Sequence, residues 1–389
     1  MTNQPLYIEA DWSMRNKVGQ QICGDSVVAR KVQDQQRQIV VMSDGLGSGV
    51  KANILSTMTA TMAARFVQAN MVSMSSLSVM MDALPVCKVR NISYATYTIV
   101  DTSLNGETRV IEMGNPSTLH IRDGKVMDLA YSRISVSKRE DRDISIADIH
   151  IEPGDRLVVL SDGVTMAGLG SQDHKLGLRI EGVSTYILEQ LALHPQMSAG
   201  ELSEQVIRKA LRYEPNQVPH DDMTCVAIYY REPRKLLLLT GPPFRESSDA
   251  SWAQRFNSYP GDRVVCGGTT ANILARELGL EINSTLKPMG GLPPISFMNG
   301  AKLVSEGILT LTRVCNLLEQ GEQDNSVASK LIDELKNHDI IDVCVGTKIN
   351  EAHQDPTLPS DLDIRRNIVK RLAGILEEKF LKEVSIRYI

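Results

Sequence analysis

The chain has 389 residues, a formal net charge of −5 and 42% apolar content, which excludes wholesale disorder and leaves room for two or three domains, each with its own core. No basic stripe carries interleaved aromatic residues, so nucleic acid is excluded as an expected partner. In chain order, Ile39–Met42 reads as a buried strand that stops at Ser43-Asp44-Gly45, and Ile54, Leu55, Met58, Met62 and Phe66 then recur at helical spacing. Tyr94–Val100 alternates, meets the turn signal Asn105-Gly106 and returns as Arg109–Met113; Leu119–Arg122 runs into a second such signal, Asp123-Gly124. Leu157–Leu160 is a strand that stops at Ser161-Asp162-Gly163. Ser198 and Glu201 form a capping box ahead of Leu202, Val206, Ile207, Ala210 and Leu211. Asp221 and Asp222 open the apolar run Thr224–Tyr230. Hairpin-paired strands with helices grouped between them predict antiparallel sheets covered by helices, an α+β unit.

Arg231-Glu232-Pro233-Arg234 reads as a linker, because proline cannot continue a central strand, and it divides the chain into 1–232 and 233–389. Beyond it the texture changes to strand–loop–helix alternation. Lys235–Leu239 stops at Thr240-Gly241-Pro242-Pro243, and Arg263–Cys266 stops at Gly267-Gly268-Thr269-Thr270 before a helix over Ala271–Leu278. Val304, Ile308, Leu311, Val314 and Leu318 mark another helix, and Ile340–Val345 a strand ending at Gly346-Thr347. Ile364, Ile368, Leu372, Leu376 and Phe380 give a long amphipathic helix ahead of a last strand, Val384–Tyr388. This pattern predicts a smaller α/β domain with a parallel sheet.

Asp44 and Asp162 end buried strands, Asp221 and Asp222 begin one, and Gly24-Asp25 stands near the N-terminus. Carboxylates at strand ends can converge in space although they are distant in sequence. They repel one another unless a cation neutralises them, so the economical reading is a metal centre.

Gly24-Asp25-Ser26, Ser43-Asp44-Gly45-Leu46-Gly47-Ser48-Gly49, Ser161-Asp162-Gly163-Val164 and His220-Asp221-Asp222-Met223-Thr224, in this order and spacing, resemble the SpoIIE-like phosphatases. That is the bacterial branch of the metal-dependent (type 2C) serine/threonine protein phosphatases. Gly114-Asn115-Pro116 and Pro153-Gly154-Asp155 fit the same pattern, and the match covers about residues 15–232. The resemblance implies an α-β-β-α sandwich and a phosphatase acting on phosphoserine or phosphothreonine in a regulatory partner protein. It implies two Mn²⁺ or Mg²⁺ ions, with Asp44 bridging them and the Gly45 carbonyl adding an oxygen. Asp162 and Asp221 would bind one ion directly, and Asp25 would sit near the cluster through water, so Asp44, Asp162 and Asp221 are the expected catalytic residues. Such ions prefer hard oxygen ligands, and a pair of them can activate a shared water and offset phosphoryl charge.

Asp222 reads as a turn-capping residue, whereas Gly47 and Gly49 read as letting the backbone approach the metals, with ordinary turn glycines as the alternative. No histidine follows Asp44-Gly45 as a proton donor. Lys17 and Lys51 are the candidates for holding phosphate, with ordinary solvated lysines as the plain alternative, and His220 reads as a loop residue. Two other functions stay open: a partner-binding module with weak turnover, and a phosphohydrolase for small molecules.

Residues 235–389 resemble the C-terminal extension of some SpoIIE-like proteins of anaerobic bacteria, some of them linked to hydrogenases. Cys266-Gly267-Gly268-Thr269-Thr270-Ala271 and Asn350-Glu351-Ala352-His353-Gln354-Asp355-Pro356 carry that resemblance. A glycine-rich turn between strand and helix exposes N–H groups to an anion, so a regulatory role with a small anionic ligand or partner peptide is one expectation and a plain turn the other. His353 and Asp355 are either metal ligands or a hydrogen-bonded loop. No apolar run approaches the roughly 20 residues that cross a bilayer. Met1-Thr2-Asn3-Gln4-Pro5 lacks the order of a secretion signal, so no membrane partner and a cytoplasmic location are expected. Self-association is left open. The six cysteines show no CxxC pair, and Cys225, Cys266 and Cys344 lie in strand-like runs as buried thiols.

Overall fold

In a computed structural model the chain forms two compact units, Met1–Glu232 and Pro233–Ile389. The structure describes residues 6–69, 95–135, 143–284, 296–348 and 361–389. His353 and Asp355 lie outside the described residues, as does Tyr94.

The first unit has the strands β1 (Tyr7–Arg15), β2 (Ser26–Val32), β3 (Arg37–Gly45), β4 (Ala95–Ser103), β5 (Glu107–Met113), β6 (Leu119–Arg122), β7 (Lys125–Met127), β8 (Ser132–Ser135), β9 (Asp143–His150), β10 (Arg156–Leu160) and β11 (Met223–Arg231). They form two antiparallel sheets, ordered β1-β11-β10-β6-β7 and β2-β3-β4-β5-β9-β8. Period-two alternation decides which side chains go where. Val40 and Met42 of β3 pack with Leu157, Val159, Val226 and Ile228 of the other sheet, so the sheets lie face to face. Ile39 and Val41 point the other way, against Ala60, Ala63, Ala64 and Val67 of helix α1 (Gly49–Gln68). On the opposite outer face, α2 (Asp162–Thr165), α3 (Arg179–Leu193) and α4 (Ala199–Tyr213) cover the five-stranded sheet through Val164, Val183, Ile187, Leu202 and Val206. The result is the α-β-β-α sandwich that the resemblance implied.

The turn and cap signals behave as read. Asp123 and Gly124 both adopt positive φ (48° and 70°) between β6 and β7, and Ser198 and Glu201 close a reciprocal capping box on α4. The face of α1 differs from its periodicity: Ile54 and Met58 are 53% and 50% exposed. The buried side is instead Ala52, Ser56, Thr59, Ala60, Ala63 and Ala64. Small residues let this helix lie close to the strand ends. An added Cβ on Gly45 would stand 2.3 Å from the Ala52 carbonyl oxygen.

The second unit alternates strand and helix: β12 (Lys235–Thr240), α5 (Asp249–Ser258), β13 (Asp262–Cys266), α6 (Gly268–Leu278), β14 (Ile282–Ser284), β15 (Ser296–Met298), β16 (Leu303–Ser305), α7 (Ile308–Gln320), α8 (Val327–Asn337), β17 (Ile340–Val345), α9 (Asp361–Phe380) and β18 (Glu383–Tyr388). Its sheet runs β14-β15-β16-β13-β12-β17-β18, with β16, β13, β12, β17 and β18 parallel and β15 antiparallel at one side. The four leucines of β12 split between faces: Leu236 and Leu238 meet α7, α8 and α9, while Leu237 and Leu239 meet α5 and α6. Two details depart from the sequence reading. Val304 belongs to β16, because Glu306-Gly307 separates it from the helix that starts at Ile308. Gly268, Thr269 and Thr270 form the first turn of α6, because Gly267 takes φ +134° and turns the chain sharply out of β13.

Candidate metal centre

Strand pairing brings the acidic motifs together. Ser26 of β2 pairs with Ser43 of β3, so Asp25 and Asp44 flank one rung at the end of the six-stranded sheet. In the other sheet Leu160 pairs with Cys225. The next rung is made by Ser161: its N–H donates to the Thr224 carbonyl at 3.0 Å, and its Oγ accepts from the Thr224 N–H at 2.8 Å. Asp162-Gly163 and Asp221-Asp222 therefore leave that edge side by side. Glycine is needed there, since a Cβ on Gly163 would stand 2.1 Å from the Asp222 carbonyl oxygen.

The carboxylates act on one another. Burial pushes the Asp44 carboxyl well above the usual carboxylate range, and the charges of Asp25, Asp162 and Asp221 push it the same way. Burial also raises Asp25, which is 1% exposed, with Asp222 and Asp162 adding to it and hydrogen bonds from Thr224 and Ser161 opposing. The Thr224 hydroxyl donates to Asp25 Oδ2 at 2.6 Å. Asp221 is raised by burial, against its bond from the Asp222 N–H and the charge of Lys17. The Lys17 ammonium lies 3.7 Å from Asp221 Oδ1, and its backbone N–H donates to Asp222 Oδ1 at 2.9 Å.

Asp222 is the residue that sequence reasoning underrated. It is 4% exposed, and its Oδ2 is buried with no hydrogen-bond partner, beside Gly24. A turn-capping aspartate would be solvated. The available signal was its position directly before a strand buried on both faces. Thr224 and Ser161, which hold Asp25, were likewise not singled out as site residues. Lys51 is exposed, and His220 is tied through Nδ1 to Glu214 Oε2 at 2.6 Å, which makes it a loop anchor. The Asp155 carboxylate of Pro153-Gly154-Asp155 binds His120, Arg122 and the Glu152 N–H, so this motif braces β6 against β10.

A cluster of repelling carboxylates with an orphaned buried oxygen is the donor set that a hard divalent cation satisfies. These residues fit Mn²⁺ or Mg²⁺. Among the described residues, a tighter grouping of metal-type ligand atoms, within 4.8 Å, occurs in the second unit at Asp262, Glu334 and His338. Hydrogen bonding accounts for that group: His338 Nδ1 lies 2.6 Å from the Glu334 carbonyl and Nε2 lies 3.1 Å from Asp262 Oδ2, fastening the end of α8 to β13.

The sequence profile of the family "Stage II sporulation protein E (SpoIIE)" matches residues 34–231. The chain belongs to this family, whose fold is that of the type 2C phosphatases. No curated protein matches the sequence. Among solved structures, the chain is similar to the phosphatase domain of the cell fate determinant SpoIIE from Bacillus subtilis, with 16% identity and a TM-score of 0.44 over 59% of this chain and 94% of that one. It is also similar to the RsbU and RsbW domains of Rv1364c from Mycobacterium tuberculosis, with 15% identity and a TM-score of 0.48 over 65% and 68%. A third is the S. agalactiae serine/threonine phosphatase, with 15% identity and a TM-score of 0.41 over 57% and 99%. Among the described residues no helix is long and apolar enough to cross a membrane.

Proposed function

We propose that residues 1–232 form a cytosolic protein phosphatase that hydrolyses phosphoserine or phosphothreonine on a regulatory partner, with two Mn²⁺ or Mg²⁺ ions in the acidic cluster. The observation that carries this reading is the convergence of Asp25, Asp44, Asp162, Asp221 and Asp222 from both sheets, with Asp222 Oδ2 left unpaired. Asp44, whose carboxyl feels the charges of Asp25, Asp162 and Asp221 at once, would help hold both ions, with the Gly45 carbonyl adding an oxygen. Asp162 and Asp221 would hold the ion on the five-stranded side. Asp25, fixed by Thr224, would orient its share of the cluster through water. When bound, such ions neutralise phosphoryl charge and supply an activated water. Lys17, whose ammonium lies 3.7 Å from Asp221 Oδ1, would bias an incoming phosphate toward that edge.

Hydrolysis of an aryl phosphate tests the reading: it should require added Mn²⁺ or Mg²⁺, stop in EDTA, and fall by about 10²-fold or more in Asp162→Asn. Turnover that persists in EDTA would sink the metal mechanism. A folded, metal-binding chain that dephosphorylates no phosphopeptide would instead make this unit a partner-binding module. Comparing phosphoproteomes of cells carrying the wild type and Asp162→Asn would name the substrate.

A further inference from the structure

The parallel strands of the second unit stand in the order β16-β13-β12-β17-β18, so by sequence the third, second, first, fourth and fifth. The chain leaves β12 toward β13 on one side and later returns to β17 on the other. Loops that follow such a central strand diverge, and the crevice between them at the carboxyl edge is where doubly wound sheets take ligands. A cavity of about 500 Å³ lies at this edge, lined in part by Thr240, Gly241, Gly268, Thr270 and Arg365. That volume suits a small molecule.

We propose that this cavity binds a phosphorylated small molecule, a phosphomonoester, with its phosphoryl group seated on the N-terminus of α6. Two helices begin at the cavity, and they differ. Both have glycine at the cap position, but in the first turn of α7 the Leu309 N–H already donates to Glu306 Oε2 at 3.0 Å. The first turn of α6 has no side-chain cap. Gly268 and Thr269 are exposed there, and a Cβ on Gly268 would meet nothing within 4 Å. Uncapped N–H groups and the helix dipole favour an anion at that spot.

Two buried hydroxyls point independently to a ligand. Thr240 and Thr270 are 1% and 0% exposed, line the cavity, and leave Oγ1 without a hydrogen-bond partner. Burying such groups is costly unless something completes them. Positive charge is also built in. Arg365 is 9% exposed, donates from Nη1 to the Gly346 carbonyl at 3.1 Å, and lies so close to Gly241 that a Cβ there would stand 2.7 Å from Nη1. The other bases at the cavity pair with acids that also line it, Arg276 with Asp249 and Lys348 with Glu246, so their charges are offset in place. Gly267-Gly268-Thr269-Thr270 carries no lysine of the kind that reaches the outer phosphates of a nucleoside triphosphate, so a single phosphoryl group is the fit.

This proposal does not rest on the phosphatase reading, and its test avoids that site. The full chain is titrated with inorganic phosphate in EDTA at constant ionic strength, with the melting temperature as readout. Phosphate should raise the melting temperature of the wild type. Gly268→Asp places a carboxylate in open space at a helix N-terminus, where it suits the dipole. It should leave the fold intact and abolish the rise. Thr270→Val should weaken phosphate binding about ten-fold, the scale of a lost hydrogen bond to a charged group, without lowering the phosphate-free melting temperature. Three results overturn the proposal. One is no rise in the wild type up to about 50 mM phosphate, where even millimolar affinity would register. The others are an undiminished rise in Gly268→Asp, and a phosphate-free destabilisation by Thr270→Val that reveals the hydroxyl as structural.

Discussion

Both units build their site where strands end, but with opposite chemistry. In the first, Asp162 and Asp221 raise the proton affinity of Asp44, and Asp162 that of Asp221, a donor set that suits a cation. In the second, the strand ends carry Thr240-Gly241 and Gly267-Gly268, and an uncapped helix start with unpaired hydroxyls draws an anion. The fold edge supplies convergence in both cases; the residue type alone sets the sign of the partner. Glycine also serves differently. At Gly163 it prevents collision with a neighbouring strand, whereas at Gly268 it leaves room for something from outside.

The largest expected effect separates those two glycines. Gly163→Ala drives a Cβ to 2.1 Å from the Asp222 carbonyl and should destabilise the first unit by about 3 kcal/mol or more by denaturant melts. Gly268→Ala should be neutral or stabilise by up to about 1 kcal/mol, since the space is open and alanine favours helix. Equal costs at the two positions would break the distinction between packing glycine and open cradle.

A smaller effect is expected at Thr224→Val. It removes the 2.6 Å hydrogen bond that holds the Asp25 carboxylate and should weaken Mn²⁺ affinity by about 10-fold to 100-fold with little change in fold. Unchanged affinity by calorimetry would mean that Asp25 does not serve the cluster.

The smallest effect is a pH dependence confined to the first unit. Burial opposes ionisation of Asp155, but hydrogen bonds from His120, Arg122 and the Glu152 N–H outweigh it and hold the carboxyl down to about 2. Its folded value lies below the unfolded value of about 3.9, so its stabilisation is complete above that pH and is lost as pH falls toward about 2. Asp155→Asn should flatten the stability profile within that window and leave it unchanged in shape near neutrality. A variant with the wild-type acid slope would contradict the bracing role.

Much of this was legible in the chain. The strand-end acids, both hairpin turns and the capping box on α4 are local signals, and local chemistry fixes them. The burial of Asp222 is only hinted at by its place before a strand buried on both faces, because it depends on the β10–β11 register and on Gly24 and Gly163 lying against it, contacts that join distant segments. The inner face of α1 was misjudged for a related reason. Periodicity marks where large apolar residues recur, but a helix lying this near strand ends buries alanine and serine instead. In the second unit, alternation revealed the parallel sheet, while the strand order that creates the crevice is a tertiary fact. The helix α6 starts three residues before the Ala271 that the pattern marks, since glycine and threonine have weak helix preference and the positive φ at Gly267 is what launches the helix.

Metal stoichiometry tests the acidic cluster most directly. Mn²⁺ titrated into the full chain, with the bound ion counted by calorimetry and electron paramagnetic resonance, should show about two ions per chain, close enough for their spins to couple. Asp44→Asn, which removes the carboxylate placed between the two sheets, should abolish the coupling, bind at most one ion weakly and lose phosphatase activity together with it. In EDTA the same variant should melt above the wild type, because the folded wild type must either protonate this buried carboxyl or hold it charged beside its neighbours, and asparagine does neither. Unchanged stoichiometry and coupling in Asp44→Asn, or a wild type that binds no Mn²⁺, would contradict the central claim that these strand-end carboxylates form a two-metal site.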